Sequence, residues 1–253
     1  MNTKILRKLG YLSDRDGIMN RFINEQENWK NHLENTKNFI LESASNKKNE
    51  NAVLFGTGWW LDIPTSELCS MFRNVYFFDI IHPAQIIHKS LKFKNLKLIE
   101  TDITGLCENV YLGLEKGIKN ISSIEHKKFD FREVIGTEPD FVASVNILNQ
   151  LDIILLSYIR DKISISEDEN KRIRTEIQKK HIELLPSKKS CLISDCIEIN
   201  YNEKKEEISR TNLIYTDLPS KKPEKEWIWK FDTNGSYRKA CTTHFQVRAF
   251  SSF

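Results

Sequence analysis

Apolar residues recur along the first fifty positions at a helical spacing. From Ser13 onward, Ile18, Phe22, Ile23, Trp29, Leu33, Phe39 and Ile40 fall at intervals near three to four with polar residues between them. Ser13 or Asp14 suits the N-cap, and the polar run Ser45-Asn46-Lys47-Lys48-Asn49-Glu50 ends the pattern. After Asn51 the chain turns to short, wholly apolar runs. Ala52–Phe55, closed by Gly56, predicts a strand buried on both faces. Val75–Phe78 predicts a second strand ending at Asp79, and Leu96–Ile99 a third ending at Thr101-Asp102. Phe141–Val145 predicts a fourth, opened by Pro139 and ending at Asn146, and Cys191–Ser194 a fifth ending at Asp195.

Helical stretches are expected between these strands, at Ile63 to Phe72, Ala84 to Leu91, Asn149 to Arg160 and Asn170 to Leu185. The last two are separated by what reads as an acidic break, Ser166-Glu167-Asp168-Glu169. Strands alternating with helices predict βαβ units and a parallel sheet. Trp227–Trp229 and His244–Phe250, joined through a turn containing Gly235, predict an antiparallel hairpin that closes the chain. The division expected is an N-terminal helical lid at 1–50 and an α/β domain at 51–253, with a helical insertion at 151–188.

Composition adds limits to this picture. A chain of 253 residues with 40% hydrophobic residues can bury the core of one sizeable α/β domain. Charge is balanced, 38 Lys and Arg against 35 Asp and Glu, and the basic pairs Lys47-Lys48, Lys188-Lys189 and Lys221-Lys222 are too short to form a phosphate-tracking stripe. A nucleic-acid partner is therefore not expected. Asn2-Thr3-Lys4 leads into polar sequence rather than an apolar signal segment, and no apolar run approaches the roughly 20 residues of a membrane span. A cytoplasmic protein without membrane contact is the expectation. Cys69, Cys107, Cys191, Cys196 and Cys241 are scattered, form no C-x-x-C pair and have no histidine at ligand spacing, which predicts reduced thiols and no metal.

The chemistry sits at the strand ends. Ligands of open parallel sheets lie outside the carboxyl ends of the strands, where the strand order reverses. Those ends carry Gly56-Thr57-Gly58, Asp79, Asp102, Asn146 and Asp195. Glycines after the first strand allow a tight turn, and a carboxylate about 20 residues further on can accept hydrogen bonds from ribose hydroxyls.

This order of elements resembles the class I S-adenosylmethionine-dependent methyltransferases. The match runs through the glycine loop Gly56-Thr57-Gly58, the acidic end of strand two at Asp79, Thr101-Asp102-Ile103 after strand three, the segment from Ser144 to Leu151 after strand four, and the closing hairpin. The resemblance covers roughly residues 50 to 253. It implies a Rossmann-like, doubly wound, mostly parallel seven-stranded sheet with a C-terminal antiparallel hairpin, preceded here by N-terminal helices. It implies S-adenosyl-L-methionine as cofactor, held by Gly56, Thr57, Gly58, Asp79, Ile80, Asp102, Ile103 and Asn146. Methyl transfer to a small-molecule acceptor follows as the expected activity, with Trp59, Trp60, Asn149 and Gln150 facing the acceptor.

Two positions depart from the family pattern. Leu54 stands where an acidic residue usually precedes the loop, and Trp60 stands where a third glycine is common. Asp62 lies close enough to supply a carboxylate from another direction. A catalytically degenerate scaffold that kept the fold is the alternative. A nicotinamide-dependent dehydrogenase is disfavoured because Leu61 occupies the last position of G-x-G-x-x-G/A. Trp29 and His32 share a helix face and could close over the site, His82 could point toward it, and Asp195 and Glu198 are the nearest acidic groups for a general base. Turn, packing and capping roles compete for each of them. His181 reads as structural. No D/N-P-P-Y-like motif, P-loop, H-E-x-x-H or nucleophile elbow is present.

Overall fold

The computed structural model describes residues 2–45, 47–121 and 124–251. Asn46, in the middle of the expected polar break, lies outside them, as do residues 1, 122, 123, 252 and 253.

Strands β1 (Asn51–Phe55), β2 (Asn74–Asp79) and β4 (Phe141–Val145) are buried along nearly their whole length, as unbroken apolar runs require. With β3 (Leu96–Glu100), they pair in parallel in the order β3-β2-β1-β4, and β5 (Ser190–Tyr201) adds to β4 in parallel. The order reverses between β1 and β4, which places a topological switch point at their carboxyl ends. Beyond β5 come β8 (Thr242–Ser251) and then β7 (Lys225–Asp232), both antiparallel to their neighbours. The closing hairpin is thus present, with its last strand inserted beside β5. Seven strands form this path, and the sheet is the Rossmann-like α/β sheet of the class I methyltransferase fold.

Helices cover both faces. α3 (Thr65–Met71) and α4 (Ala84–Ser90) follow β1 and β2, α5 (Cys107–Glu115) and α6 (Phe131–Ile135) lie between β3 and β4, and α7 (Ile153–Lys162) and α8 (Glu167–Leu184) between β4 and β5. α1 (Thr3–Leu9) and the 34-residue α2 (Tyr11–Ala44) precede the sheet. α2 is bent at Glu25, whose backbone leaves helical geometry (φ −119°, ψ 20°). The buried Glu25 carboxylate accepts from Thr233 N at 2.7 Å and from Asn234 Nδ2 at 2.7 Å, just past β7. Four residues on, Trp29 Nε1 donates to Phe231 O at 2.9 Å. The second half of α2 is thereby fixed across the hairpin, and its first half runs over the carboxyl ends of the strands.

Several expectations change. The N-terminal pattern is two helices, because Gly10 takes a left-handed conformation (φ 105°) between them, so Ser13 and Asp14 lie inside α2 rather than at its cap. Ser166-Glu167-Asp168-Glu169 is the start of α8 and no break. Ser166 accepts from Glu169 N, and the acidic residues sit where the helix dipole favours them. α5, α6 and the exposed edge strand β6 (Glu207–Asn212) were not anticipated. β5 does not end at Asp195 but continues to Tyr201, because β8 pairs with it throughout and β6 takes over where β4 stops. Asp195 sits at a bulge within that strand.

Candidate active site

A cleft of about 200 Å³ opens at the carboxyl ends of β1 to β4, under the first half of α2. The β1 loop forms its centre. Gly56 has φ +79°, and a Cβ there would lie 2.4 Å from Val145 O, so the loop can pass the end of β4 only as glycine. Gly58 (φ +27°) donates its N–H to Asp79 Oδ2 at 2.7 Å. Asp79 Oδ1 accepts from Ile80 N at 2.8 Å, so this carboxylate ties the β1 loop to the end of β2. Burial pushes the Asp79 carboxyl upward, opposed by His82 and by these N–H groups.

His82 faces Thr57, with Nε2 3.1 Å from Thr57 Oγ1, and its own N–H donates to Glu100 Oε1 at 2.8 Å. Burial lowers its pKa. It buttresses the loop from behind and is not part of the cleft wall.

Asp102 closes the next turn. Oδ1 accepts from Thr104 N (2.9 Å) and Thr104 Oγ1 (2.6 Å), and Oδ2 accepts from Cys107 N (2.8 Å), the first residue of α5. Ile80 and Ile103 flank Asp79 and Asp102, with Ile147 and Leu151 on the β4 side, and the four line an apolar slot.

The two loop tryptophans take different directions. Trp60 (φ 59°) is buried against Phe77 and Phe93 in the core beside α4, its ring centroid 5.3 Å from that of Phe77. Trp59 Nε1 donates to Arg15 O at 2.8 Å, fastening α2 to the loop. Both contribute to the wall, and the cleft stays open between them and β4.

The β4 end is built differently. Asn146 adopts φ 49°, a conformation asparagine tolerates better than most residues, and its Nδ2 donates to Asp62 Oδ2 at 2.8 Å. Trp227 Nε1 donates to His32 Nδ1 at 3.1 Å. An indole N–H can only donate, so in neutral His32 the proton sits on Nε2. Burial lowers the His32 pKa to about 3, which keeps the ring neutral, and it stacks on Trp229 at 3.8 Å. Asn146 Nδ2 therefore meets a carboxylate at 2.8 Å and a ring N–H at 3.2 Å. The carboxylate contact is the shorter and is charge-assisted, which sets the amide with Nδ2 on Asp62.

Several atoms here lack partners. Asn146 Oδ1, Asn149 Oδ1 and Asp195 Oδ1 are buried with no hydrogen-bond partner among the described residues. Burial raises the Asp62 carboxyl, and burial together with Asp62 pushes Asp195 up to about 8.

Of the sequence candidates, Gly56, Thr57, Gly58, Trp59, Trp60, Asp79, Ile80, Asp102, Ile103, Asn146 and Gln150 all line this cleft, as do Trp29 and His32. Asn149 is buried but does not line it. Asp195 lies behind Asp62, and Glu198 is engaged by Arg238 at 3.0 Å away from the wall. His181 is internal, with Nε2 2.7 Å from Ser144 Oγ. Tyr11, Asp14, Arg15 and Ile18 of α2 also line the cleft and were missed. Only Ile18 carried a signal, as part of the apolar stripe.

No family model and no curated protein matches the chain in sequence. Among solved structures it is similar to the N-methyltransferase NodS from Bradyrhizobium japonicum WM9, at 9% identity and a TM-score of 0.37 over 86% of this chain and 96% of that one. It is also similar to the Burkholderia thailandensis 1,6-didemethyltoxoflavin-N1-methyltransferase, at 7% identity and 0.39 over 94% and 87%. A third likeness is to DhpI, at 8% identity and 0.40 over 98% and 99%. The fold class rests on the strand order itself. No helix among the described residues is long and apolar enough to cross a membrane.

Proposed function

We propose that this protein is an S-adenosylmethionine-dependent methyltransferase acting on a small molecule. One observation carries the reading: the cleft lies at the switch point of a class I methyltransferase sheet, bordered by the β1 glycine loop, Asp79 and Asp102.

The residues present suit the cofactor. Each carboxylate oxygen can accept two hydrogen bonds, and Asp79 Oδ2 and Asp102 Oδ2 each receive one backbone N–H, so each keeps capacity for a further donor. Asp79 would hold the ribose, and the apolar slot of Ile80, Ile103, Ile147 and Leu151 the base. Among the described residues lining the cleft, Arg15 is the cation available to a carboxylate. The cofactor supplies an electrophilic methyl on a sulfonium. The chain's own contribution is to orient the acceptor, exclude water beneath the first half of α2, and remove a proton.

A second reading has an observation behind it. Asp79 and Asp102 both serve their own backbone, as they would in a scaffold that binds nothing. Isothermal calorimetry with S-adenosylmethionine and S-adenosylhomocysteine separates the two. Stoichiometric heat is expected for both ligands; none for either, with folded protein, leaves the scaffold.

A further inference from the structure

The nature of the acceptor can be taken further, resting on the methyltransferase reading above. Among the described residues lining the cleft, four carry a carboxylate (Asp14, Asp62, Asp79 and Asp102) and one a guanidinium, Arg15, which is itself paired with Asp16 at 2.8 Å. A carboxylate or phosphate on the acceptor would meet net negative charge in a partly buried setting, where repulsion is weakly screened. A cation would be drawn in.

The β4 end points the same way by separate routes. Asn146 is 9% exposed, lines the cleft, and has its Nδ2 committed to Asp62 while Oδ1 has no partner among the described residues. Such a buried, unpaired acceptor is costly and rare in native proteins, so it asks for a donor from elsewhere. The same amide places the Asp62 carboxylate beside it. Around them stand Trp29, Trp229 and His32, and burial keeps His32 uncharged, so no imidazolium there would repel a cation.

We infer that the acceptor is an amine, its nitrogen held by Asp62 and by Asn146 Oδ1, with Asp62 taking the proton that the nitrogen must lose. An ammonium R–NH3+ gives one proton to the Asp62 carboxylate and becomes a neutral amine with a free lone pair. That lone pair forms the new N–C bond while the methyl's bond to sulfur breaks, sulfur keeping the electron pair. The product leaves as R–NH2CH3+, and Asp62 returns its proton to solvent. A positive ligand also keeps Asp62 ionised, which preserves the amide orientation that leaves Oδ1 available. Lys37 on α2, Asn146 and Asp195 are the other groups that bear on Asp62, and His32 contacts Asn146. Burial raises its carboxyl toward the range where exchange of a proton with an amine is easier.

The test uses the full chain saturated with S-adenosylhomocysteine, then given pools of small primary and secondary amines, alcohols, carboxylates or phosphate monoesters. Thermal unfolding is expected to shift upward with the amine pool alone. Tritiated methyl from S-adenosylmethionine is expected to enter that pool about tenfold or more above the others. Label in another pool, or in none, overturns the inference. If S-adenosylhomocysteine does not bind, the methyltransferase reading falls and takes the inference with it; if it binds and amines do nothing, the inference alone falls. Asp62→Asn is expected to weaken the amine response about tenfold while changing S-adenosylhomocysteine affinity less than about threefold. Equal loss of both would put Asp62 on the cofactor and overturn its assignment. Should that variant not fold, the four pools on the wild-type chain decide.

Discussion

The two ends of the cleft treat their carboxylates in opposite ways. At the β2–β3 end, Asp79 and Asp102 receive backbone N–H groups at 2.7 to 2.9 Å and pin loops in place. At the β4–β5 end, Asp62 meets one amide, Asp195 keeps an oxygen without a partner among the described residues, and Asn146 and Asn149 do too. Satisfied polar groups stabilise the fold. Unsatisfied ones cost stability and persist at sites where a ligand or a proton transfer needs them. Changes at the first end should therefore be felt in stability together with cofactor binding, and changes at the second mainly in the acceptor and pH response.

The joint between the ends is the most sensitive point. Gly56→Ala combines a positive φ with a Cβ 2.4 Å from Val145 O and 2.9 Å from Ile147 Cβ. Backbone on one side cannot yield cheaply, so a loss of about 3 kcal/mol or more is expected in urea unfolding. Gly58→Ala serves as control, since its Cβ would be 3.7 Å from the nearest atom, Asp79 Oδ2, and its cost is expected to be clearly smaller. Equal costs would show that the close approach of β1 and β4 is not what selects Gly56.

Asp102→Ala comes next. It removes the acceptor for Thr104 N, Thr104 Oγ1 and Cys107 N, leaving the start of α5 uncapped. About 2 kcal/mol of destabilisation is expected by chemical denaturation. A variant as stable as the parent would break the comparison, because it would free Asp102 from a structural role.

These residues also show what a sequence discloses. The strands were legible because unbroken apolar runs such as Val75–Phe78 have few alternatives to a buried strand, and the residues closing the first four marked the cleft. An N-terminal helical cover was expected, but which of its residues reach the cleft was not legible. Tyr11, Asp14 and Arg15 reach the cleft because α1 and α2 turn at Gly10, and no spacing rule says over which part of a sheet a helix will lie. Asp195 and Glu198 were expected past the end of the strand, with a turn role competing, because burying such groups is costly. They lie within β5, where Asn200 Nδ2 donates to Glu198 Oε1 and Asn200 Oδ1 accepts from Thr243 Oγ1. Those bonds are invisible until β8 is in place. Trp59 and Trp60 were both expected to face the acceptor, and only the packing of Trp60 on Phe77 and Phe93 shows how its ring is turned into the core.

The β4–β5 end should respond to pH. Asp195 has a pKa of about 8 in the fold, raised by burial first and by Asp62 second, against about 3.9 in an unfolded chain. Between about pH 4 and about pH 8 the folded state holds a proton that the unfolded state has released, so stability falls as pH rises through that window. The slope for one such group is at most about 1.4 kcal/mol per pH unit, and Asp62, shifted in the same direction, adds to it. Asp195→Asn removes that proton without changing shape. Its unfolding free energy is expected to fall less steeply with pH than the parent's. Parallel curves across the window would show that Asp195 does not titrate there.

The smallest effect sharpens the role of α2. Trp59→Phe keeps the ring against the wall but loses the 2.8 Å bond from Nε1 to Arg15 O. One neutral hydrogen bond contributes about 1 kcal/mol, little against global stability. Locally it matters more, because the first half of α2 lies beyond the bend at Glu25 and is held less firmly than the second half, which Glu25 and Trp29 clamp to the hairpin. Amide hydrogen exchange is the suitable measurement. In Trp59→Phe, residues 11–24 are expected to exchange faster while those after Trp29 do not change. Uniform acceleration along α2 would mean that the helix moves as one piece, and the cover over the cleft could then open only with the hairpin.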